Sequence, residues 1–119
     1  MPYQMTMRED GILKIVFEGA LERNELEQFV GDFTHYLESA TPEAPLRTLT
    51  TTDQVGQKVS SVVRKAFANL NADPRLGKSA TVGLDRYLRV LVGFVLKATG
   101  RNNIRFFDSE ELAVVWLKS

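Results

Sequence analysis

Residues 72–79 read ADPRLGKS and end in Gly77-Lys78-Ser79, the residue types that hold phosphate in a nucleotide-binding P-loop. The full pattern is G-x-x-x-x-G-K-[ST], and Ala72 stands here in place of its first glycine. A P-loop joins a strand to a helix, because the amides that open the helix bind the phosphates. The order here is reversed, since a helical pattern precedes the stretch and a strand pattern follows it. We therefore predict a helix-to-strand connection without a nucleotide.

Hydroxyl groups cluster where a predicted central strand, Leu46–Thr52, meets the next helix. The members of this cluster are Thr48, Thr50, Thr51, Thr52 and Asp53. In open α/β sheets this carboxyl edge is where ligands bind. We therefore take Thr50, Thr51, Thr52 and Asp53 as candidate ligand or partner residues. The structural alternative is that threonine favours strands and that Thr52 or Asp53 caps the helix.

Arg86 to Thr99 predicts a helix with an apolar arc of about 200°, roughly twice the width that a helix on one face of a sheet needs. Neighbouring helices could cover the excess, or it could line a ligand cavity or meet a second subunit. The candidate residues on this helix are Arg86, Tyr87, Arg89 and Phe94. The apolar arc would hold the tail of a ligand, and Arg86, Arg89 or the Thr50–Asp53 edge would hold an anionic head group. Attachment to an anionic membrane surface is not favoured, because the helix is short and reads as core.

No catalytic constellation, metal site or cofactor is predicted. The chain has no cysteine, and its single histidine, His35, leaves a metal without a second nitrogen ligand. A G-x-S-x-G nucleophile motif is missing too, although composition alone does not exclude Ser-His-Asp catalysis. We expect a protein that is not an enzyme.

Length and composition predict one domain over residues 1–119. Formal net charge is zero, which argues against nucleic-acid binding, but the charges are segregated. Residues 1–53 carry ten acidic and four basic side chains, whereas residues 54–105 carry ten basic and two acidic ones. The longest apolar-rich run, Tyr87 to Leu96, is too short to span a bilayer, and the N-terminus lacks a signal-peptide core. The expected location is cytoplasmic.

Hydrophobic periodicity predicts an α/β fold with the order β-β-α-β-α-β-α-β-α. A hairpin turn at Asp10-Gly11 starts a mostly parallel five-stranded sheet. The predicted strands are Tyr3–Arg8, Ile12–Glu18, Leu46–Thr52, Ser79–Leu84 and Ile104–Phe107. The predicted helices cover about 22–39, a stripe from Val55 to Leu70 capped by Asp53, Arg86–Thr99 and Ser109–Lys118. The last helix is expected to start with a capping box from Asp108 to Glu111 and to bury Leu112, Ala113 and Trp116.

Residues 78–117 contain five short motifs: Ala80-Thr81-Val82-Gly83, Thr99-Gly100-Arg101, Phe107-Asp108, Glu110-Glu111 and Trp116-Leu117. With these motifs, the segment resembles the SpoIIAA-like branch of the STAS superfamily. It implies a small α/β domain that acts as an interaction or regulatory module without catalysis. Some relatives are switched by phosphorylation in a region that corresponds to Thr50–Asp53, but the Asp-x-Ser pattern of those proteins is missing, so no phosphosite is transferred. The branch also resembles lipid-transfer CRAL-TRIO domains in architecture.

Three functions follow as hypotheses. The first is a non-enzymatic STAS-like module that binds a protein partner or itself as a homodimer. The second is a carrier or sensor for an apolar ligand or lipid, with or without an anionic head. The third is a hydrolase that uses the Thr/Asp cluster.

Overall fold

A computed structural model of the chain describes residues 3–18, 23–52, 61–82 and 86–119. At residues 23, 52, 61, 63, 64, 86–88 and 91 it describes the backbone only. The strands are β1 (Tyr3–Met7), β2 (Ile12–Phe17), β3 (Leu46–Thr52), β4 (Leu76–Val82) and β5 (Ile104–Phe107). The helices are α1 (Arg23–Leu37), α2 (Ser61–Asn71), α3 (Arg86–Thr99) and α4 (Glu110–Leu117). The α/β prediction and its element order are confirmed.

The five described strands form one sheet in the order β1-β2-β3-β4-β5. β1 runs antiparallel to β2, and the remaining neighbours are parallel, as predicted from the hairpin and the alternating elements. Helices α1, α2 and α3 each connect two adjacent parallel strands. Because such crossovers are right-handed, three successive ones in this strand order place their helices on the same face. α4 packs on the opposite face, against β3 and β4.

The β1–β2 hairpin turns through Glu9, Asp10 and Gly11. Gly11 has φ +81°, a left-handed conformation that glycine adopts without a steric penalty. The Gly11 amide donates to Arg8 O at 3.0 Å, and the Arg8 amide donates to Ile12 O at 2.9 Å. This is a three-residue hairpin loop that ends in a left-handed bulge residue. The Asp-Gly signal therefore predicted the turn correctly.

The larger core lies between the sheet and helices α1–α3. β2 contributes Leu13, Ile15 and Phe17 to it, the alternate residues of one strand face. α1 contributes side chains at a spacing of three or four residues, which puts them on one side of the helix. These are Leu26, Phe29, Phe33 and Leu37, all buried. The core fixes the distance between α1 and the centre of the sheet.

The smaller core lies under α4 and corrects two predictions. Ala113 and Leu117 are buried there against β2, β3 and β4. Leu112, which we expected to face inward, is 57% exposed, because the short helix buries a narrow stripe that excludes it. The N-cap is Ser109, whose hydroxyl accepts a hydrogen bond from the Leu112 amide at 3.3 Å. The capping box predicted from Asp108 to Glu111 is therefore wrong, because the residue three positions after the Ser109 cap is Leu112, which has no side-chain oxygen to return the bond.

β4 begins at Leu76, three residues before the predicted start. Its pairing with β3 shifts between Leu46/Leu76 and Thr48/Ser79, so β4 carries one extra residue at this point. Gly77 lies in the bulge, where a β-carbon would come within 2.9 Å of Pro45 Cγ. The glycine is needed for this close approach. The predicted end of β4 at Leu84 and the predicted α2 residues before 61 lie outside the described residues.

Candidate functional site

Four hydroxyl side chains form a patch on the two central strands. β3 carries Thr48 and Thr50, and β4 carries Ser79 and Thr81. The strand register pairs Thr48 with Ser79 and Thr50 with Thr81. All four side chains line a cavity between the sheet and helices α1–α3. We call this group the hydroxyl patch.

Three residues of the hydroxyl patch are buried, Thr50 is half-buried, and one of the two pairs is hydrogen-bonded. Thr48, Ser79 and Thr81 are 3%, 8% and 3% exposed. Thr48 Oγ1 donates to Ser79 Oγ at 2.9 Å. Thr50 Oγ1 and Thr81 Oγ1 have no side-chain hydrogen bond to any residue within the described ranges. Both residues line the cavity, so a molecule bound there could form hydrogen bonds with their hydroxyl groups.

Phenylalanines from the sheet and from two helices line the cavity beside the hydroxyl patch. The phenylalanines that line it are Phe17, Phe29, Phe33 and Phe67. Phe29 stacks against Phe17, Phe33 and Phe67 with ring centroids 5.4, 6.1 and 5.1 Å away. These contacts come from β2, α1 and α2, and they hold the rings in place against the sheet. A bound molecule would therefore contact phenyl rings as well as hydroxyl groups.

The cavity is small and uncharged. Its volume is about 60 Å³. This is room for a few water molecules. Among the described lining residues, the polar side chains are the hydroxyl patch and Asn71, and none is ionisable. Asn71 Nδ2 donates to Phe67 O at 2.8 Å. The site offers hydrogen bonds without formal charge.

The predicted Thr cluster is divided between the two faces of β3. Thr50 belongs to the hydroxyl patch. Thr51 lies on the opposite face, as alternation along a strand requires, and is half-buried in register with Val16 and Val82. The Thr52 backbone pairs with Phe17 at the end of β3. The Thr52 side chain and Asp53 lie outside the described residues.

The structure places part of α3 at the cavity and part at the surface. Val92 and Val95 line the cavity and are 8% and 2% exposed. Arg89 and Phe94 are exposed, and neither is among the described lining residues. The Arg89 guanidinium carbon lies 5.7 Å from the centroid of the Phe106 ring. The candidate side chains of Arg86 and Tyr87 lie outside the described residues.

Lys78 and Ser79, which resemble the end of a P-loop, point to opposite faces of the sheet. Ser79 faces the cavity, whereas Lys78 Nζ donates to Trp116 O at 3.2 Å and to Ser119 O at 3.0 Å on the α4 side. A cation at the C-terminal end of a helix interacts favourably with its unpaired carbonyl groups. Because the two side chains diverge, they cannot bind one phosphate together, and Lys78 instead anchors α4.

Sequence reasoning missed Ser79 and Thr81 as partners of the Thr cluster. The available signal was the alternation in Ser79-Ala80-Thr81, which puts both hydroxyls on one strand face. Their pairing with Thr48 and Thr50 depends on strand order and on the bulge at Gly77, and a local sequence pattern predicts neither of these.

No protein-family model matches this sequence, and a search of curated proteins finds no match. Within the described ranges, no helix is long and apolar enough to cross a membrane. In the same part of the chain, no three His, Cys, Asp or Glu side chains come together as metal ligands do.

Proposed function

We propose that this protein is a non-enzymatic module that binds a small, neutral, mostly apolar molecule in the cavity between the sheet and α1–α3. The observation that supports this is the hydroxyl patch inside a phenylalanine-lined cavity. Valine has the shape of threonine and would fill a purely structural position without an unpaired hydroxyl. Thr50 and Thr81 instead offer two hydroxyl groups to the cavity, and a ligand there could accept or donate a hydrogen bond at either one.

The lining residues suggest the class of ligand. An anionic ligand would need a cation, and the described lining contains none. We therefore propose a neutral group, such as an amide, ketone or alcohol, beside Thr50 and Thr81, with its apolar part against Phe29. Drug-sized ligands occupy about 300–1,000 Å³, so a molecule larger than a few heavy atoms would need the helices to move outward.

An NMR titration with acetamide tests this proposal. This probe has a neutral amide on a single methyl group and only four heavy atoms. We expect amide shifts at Thr50 and Thr81, and binding about tenfold weaker in the double variant Thr50→Val/Thr81→Val, because two hydrogen bonds are lost. Thr51→Val is the matched control, since it makes the same change on the opposite face of β3. Equal binding by all three proteins, or no binding by the wild type, would contradict the proposal.

A second candidate function is binding to a protein partner or to a second copy, as the STAS resemblance implies. It is favoured by apolar side chains on the outer surface of α3 and β5. Val90, Phe94 and Phe106 are 50%, 38% and 36% exposed. Sedimentation velocity tests self-association, which Val90→Lys should abolish. A wild-type protein that stays monomeric at high concentration would contradict homodimer formation. Membership of the SpoIIAA-like branch stays a prediction.

The absence of catalysis is part of the proposal. The hydrolase hypothesis needed the Thr cluster to act with Asp53, and that residue lies outside the described ranges. A general esterase and phosphatase screen of the purified protein should give background rates. A rate well above background that Thr50→Val removes would identify an enzyme instead.

A further inference from the structure

β1 is an edge strand with backbone groups that point away from the sheet. Within the described ranges it pairs with β2 alone. The Arg8 amide donates to Ile12 O, so Arg8 is a hydrogen-bonded position of the antiparallel pair. Bonded and non-bonded positions alternate, so Thr6 and Gln4 also bond to β2. The residues whose amide and carbonyl groups point outward are therefore Tyr3, Met5 and Met7.

A groove of about 480 Å³ runs along this edge, between β1 and α1. Residues 3–6 form one side, and Asp32, His35 and Tyr36 of α1 form the other. An edge strand beside a helix is the arrangement in which an extended peptide adds a strand to a sheet. Alternate side chains of such a peptide would then enter the groove. β1 has no charged residue or proline along Tyr3–Met7, the devices that commonly block strand addition.

The α1 side of the groove carries one carboxylate, Asp32, and the surrounding segment of the sequence is acidic. From Asn24 to Leu46 the sequence contains no lysine or arginine. The acidic residues in this segment are Glu25, Glu27, Asp32, Glu38 and Glu43. At the groove itself, the Tyr3 hydroxyl donates to Asp32 Oδ2 at 2.7 Å, which fixes the carboxylate beside the edge strand. The other oxygen, Oδ1, faces no hydrogen-bond donor of the described part of the chain.

We propose that β1 and the groove beside α1 bind an extended, cationic peptide segment of another protein, which adds a sixth strand to the sheet. The backbone of Met5 supplies hydrogen bonds, and Asp32 pairs with a lysine or arginine of the peptide. A second copy of this chain fits less well. Pairing β1 with β1 would bring two acidic α1 helices together, and like charges oppose such a contact. The peptide site is separate from the cavity, so a result that refutes ligand binding in the cavity does not affect this proposal.

Fluorescence anisotropy with two synthetic peptides tests the proposal. One peptide alternates lysine and threonine, and the other alternates glutamate and threonine. We expect the lysine peptide to bind, with an affinity that falls as salt increases, and the glutamate peptide not to bind. Asp32→Asn keeps an acceptor for Tyr3 but removes the charge, and should weaken binding about threefold or more. Glu43→Gln, in the exposed loop after α1, is the control and should bind like the wild type.

Met5→Pro removes the outward amide without touching the bonds between β1 and β2. Met5→Ala loses the same side chain but keeps the amide, and it is therefore the matched comparison. Binding should be about tenfold weaker in Met5→Pro than in Met5→Ala, since a backbone hydrogen bond is lost. Hydrogen exchange in the wild type gives the same answer without a variant. The peptide should slow exchange at the Met5 and Met7 amides and leave Gln4 and Thr6 unchanged.

Three results would overturn the proposal. Equal binding of both peptides would show that charge does not select the partner. Equal binding by the two Met5 variants, with unchanged exchange at Met5 and Met7, would exclude strand addition. A dimer in sedimentation velocity that Met5→Pro dissociates would assign the edge to a second copy of this chain instead.

Discussion

Thr48 Oγ1 donates a 2.9 Å hydrogen bond to Ser79 Oγ across the two central strands, and both side chains are buried. This bond is the satisfied half of the hydroxyl patch. One register step further along the sheet, Thr50 and Thr81 stand in the same relation, each without a side-chain hydrogen bond to the described residues. The first pair therefore has a structural role, and the second pair is the one that we propose binds a ligand.

Ser79→Ala should destabilise the protein, because it leaves the Thr48 hydroxyl buried without its acceptor. We expect a loss of about 1–3 kcal/mol in the free energy of unfolding, measured by urea denaturation. The double variant Thr48→Val/Ser79→Ala removes both groups and should recover most of that loss. If the loss in the double variant equals the sum of the losses in Thr48→Val and Ser79→Ala, the hydrogen bond does not couple these two residues.

Thr81→Val should act in the opposite direction on stability. It replaces a buried hydroxyl that lacks a described partner with a methyl group, so the free energy of unfolding should rise by about 1 kcal/mol. Thermal and urea unfolding measure this change in the ligand-free protein. A loss of stability would show that the hydroxyl already has a structural partner.

Arg101 should stabilise the connection between α2 and β4. Its guanidinium donates to Asn71 O at 2.6 Å, to Asp73 O at 3.0 Å and to Leu76 O at 2.6 Å. Arg101→Ala should cost about 3 kcal/mol in the free energy of unfolding, because these carbonyl groups lose a charged donor. Arg101→Lys keeps the charge but loses the planar guanidinium fork. Its free energy of unfolding should therefore lie between those of the wild type and Arg101→Ala. If Arg101→Lys unfolds at the same denaturant midpoint as the wild type, the planar guanidinium is not what stabilises this connection.

Gly77→Ala should destabilise the protein through a steric clash. The added β-carbon would lie 2.9 Å from Pro45 Cγ and 3.4 Å from Leu46 O, so the bulge would have to open. The expected cost is about 1–3 kcal/mol. Gly93→Ala is the control, since nothing lies within 4 Å of its added β-carbon on the exposed side of α3. That change should stabilise the protein by about 0.5–1 kcal/mol through helix propensity.

Asp73 should contribute to acid sensitivity. The hydrogen bonds from the Arg75 guanidinium, the shorter at 2.7 Å, hold the pKa of this carboxyl below its usual value. A lowered folded-state pKa gives stability above the unfolded pKa, about 3.9, that is lost as the pH falls through the folded value. Asp73→Asn should therefore flatten the dependence of unfolding free energy on pH below about pH 4, and Arg75→Gln should do the same. If both variants keep the wild-type dependence of unfolding free energy on pH, the Asp73–Arg75 pair does not contribute to acid sensitivity.

Local signals in the sequence predicted the fold well. Asp10-Gly11 predicted the hairpin, and the limits of α3 were correct because Gly100, at φ +69°, ends the helix. The start of β4 could not be predicted, since the bulge arises from contact between Gly77 and Pro45. The N-cap of α4 is Ser109, not the predicted Asp108. The two residues are neighbours and both types suit an N-cap, so the sequence did not distinguish them.

The candidate site was predicted only in part, for the same reason. A strand pattern places Thr50 and Thr51 on opposite faces, but it does not show which face is covered by three helices. That depends on the strand order β1-β2-β3-β4-β5, which puts α1, α2 and α3 on one side. The hydroxyl patch depends on this topology and on the β3–β4 register. The sequence alone therefore could not predict it.

Native mass spectrometry of freshly purified protein tests the central claim most directly. We predict that the wild-type protein and the Thr51→Val control carry a bound neutral molecule, and that Thr50→Val/Thr81→Val, folded and at least as stable, does not. Wild-type protein that is consistently empty, or a bound molecule retained equally by the double variant, would contradict the account.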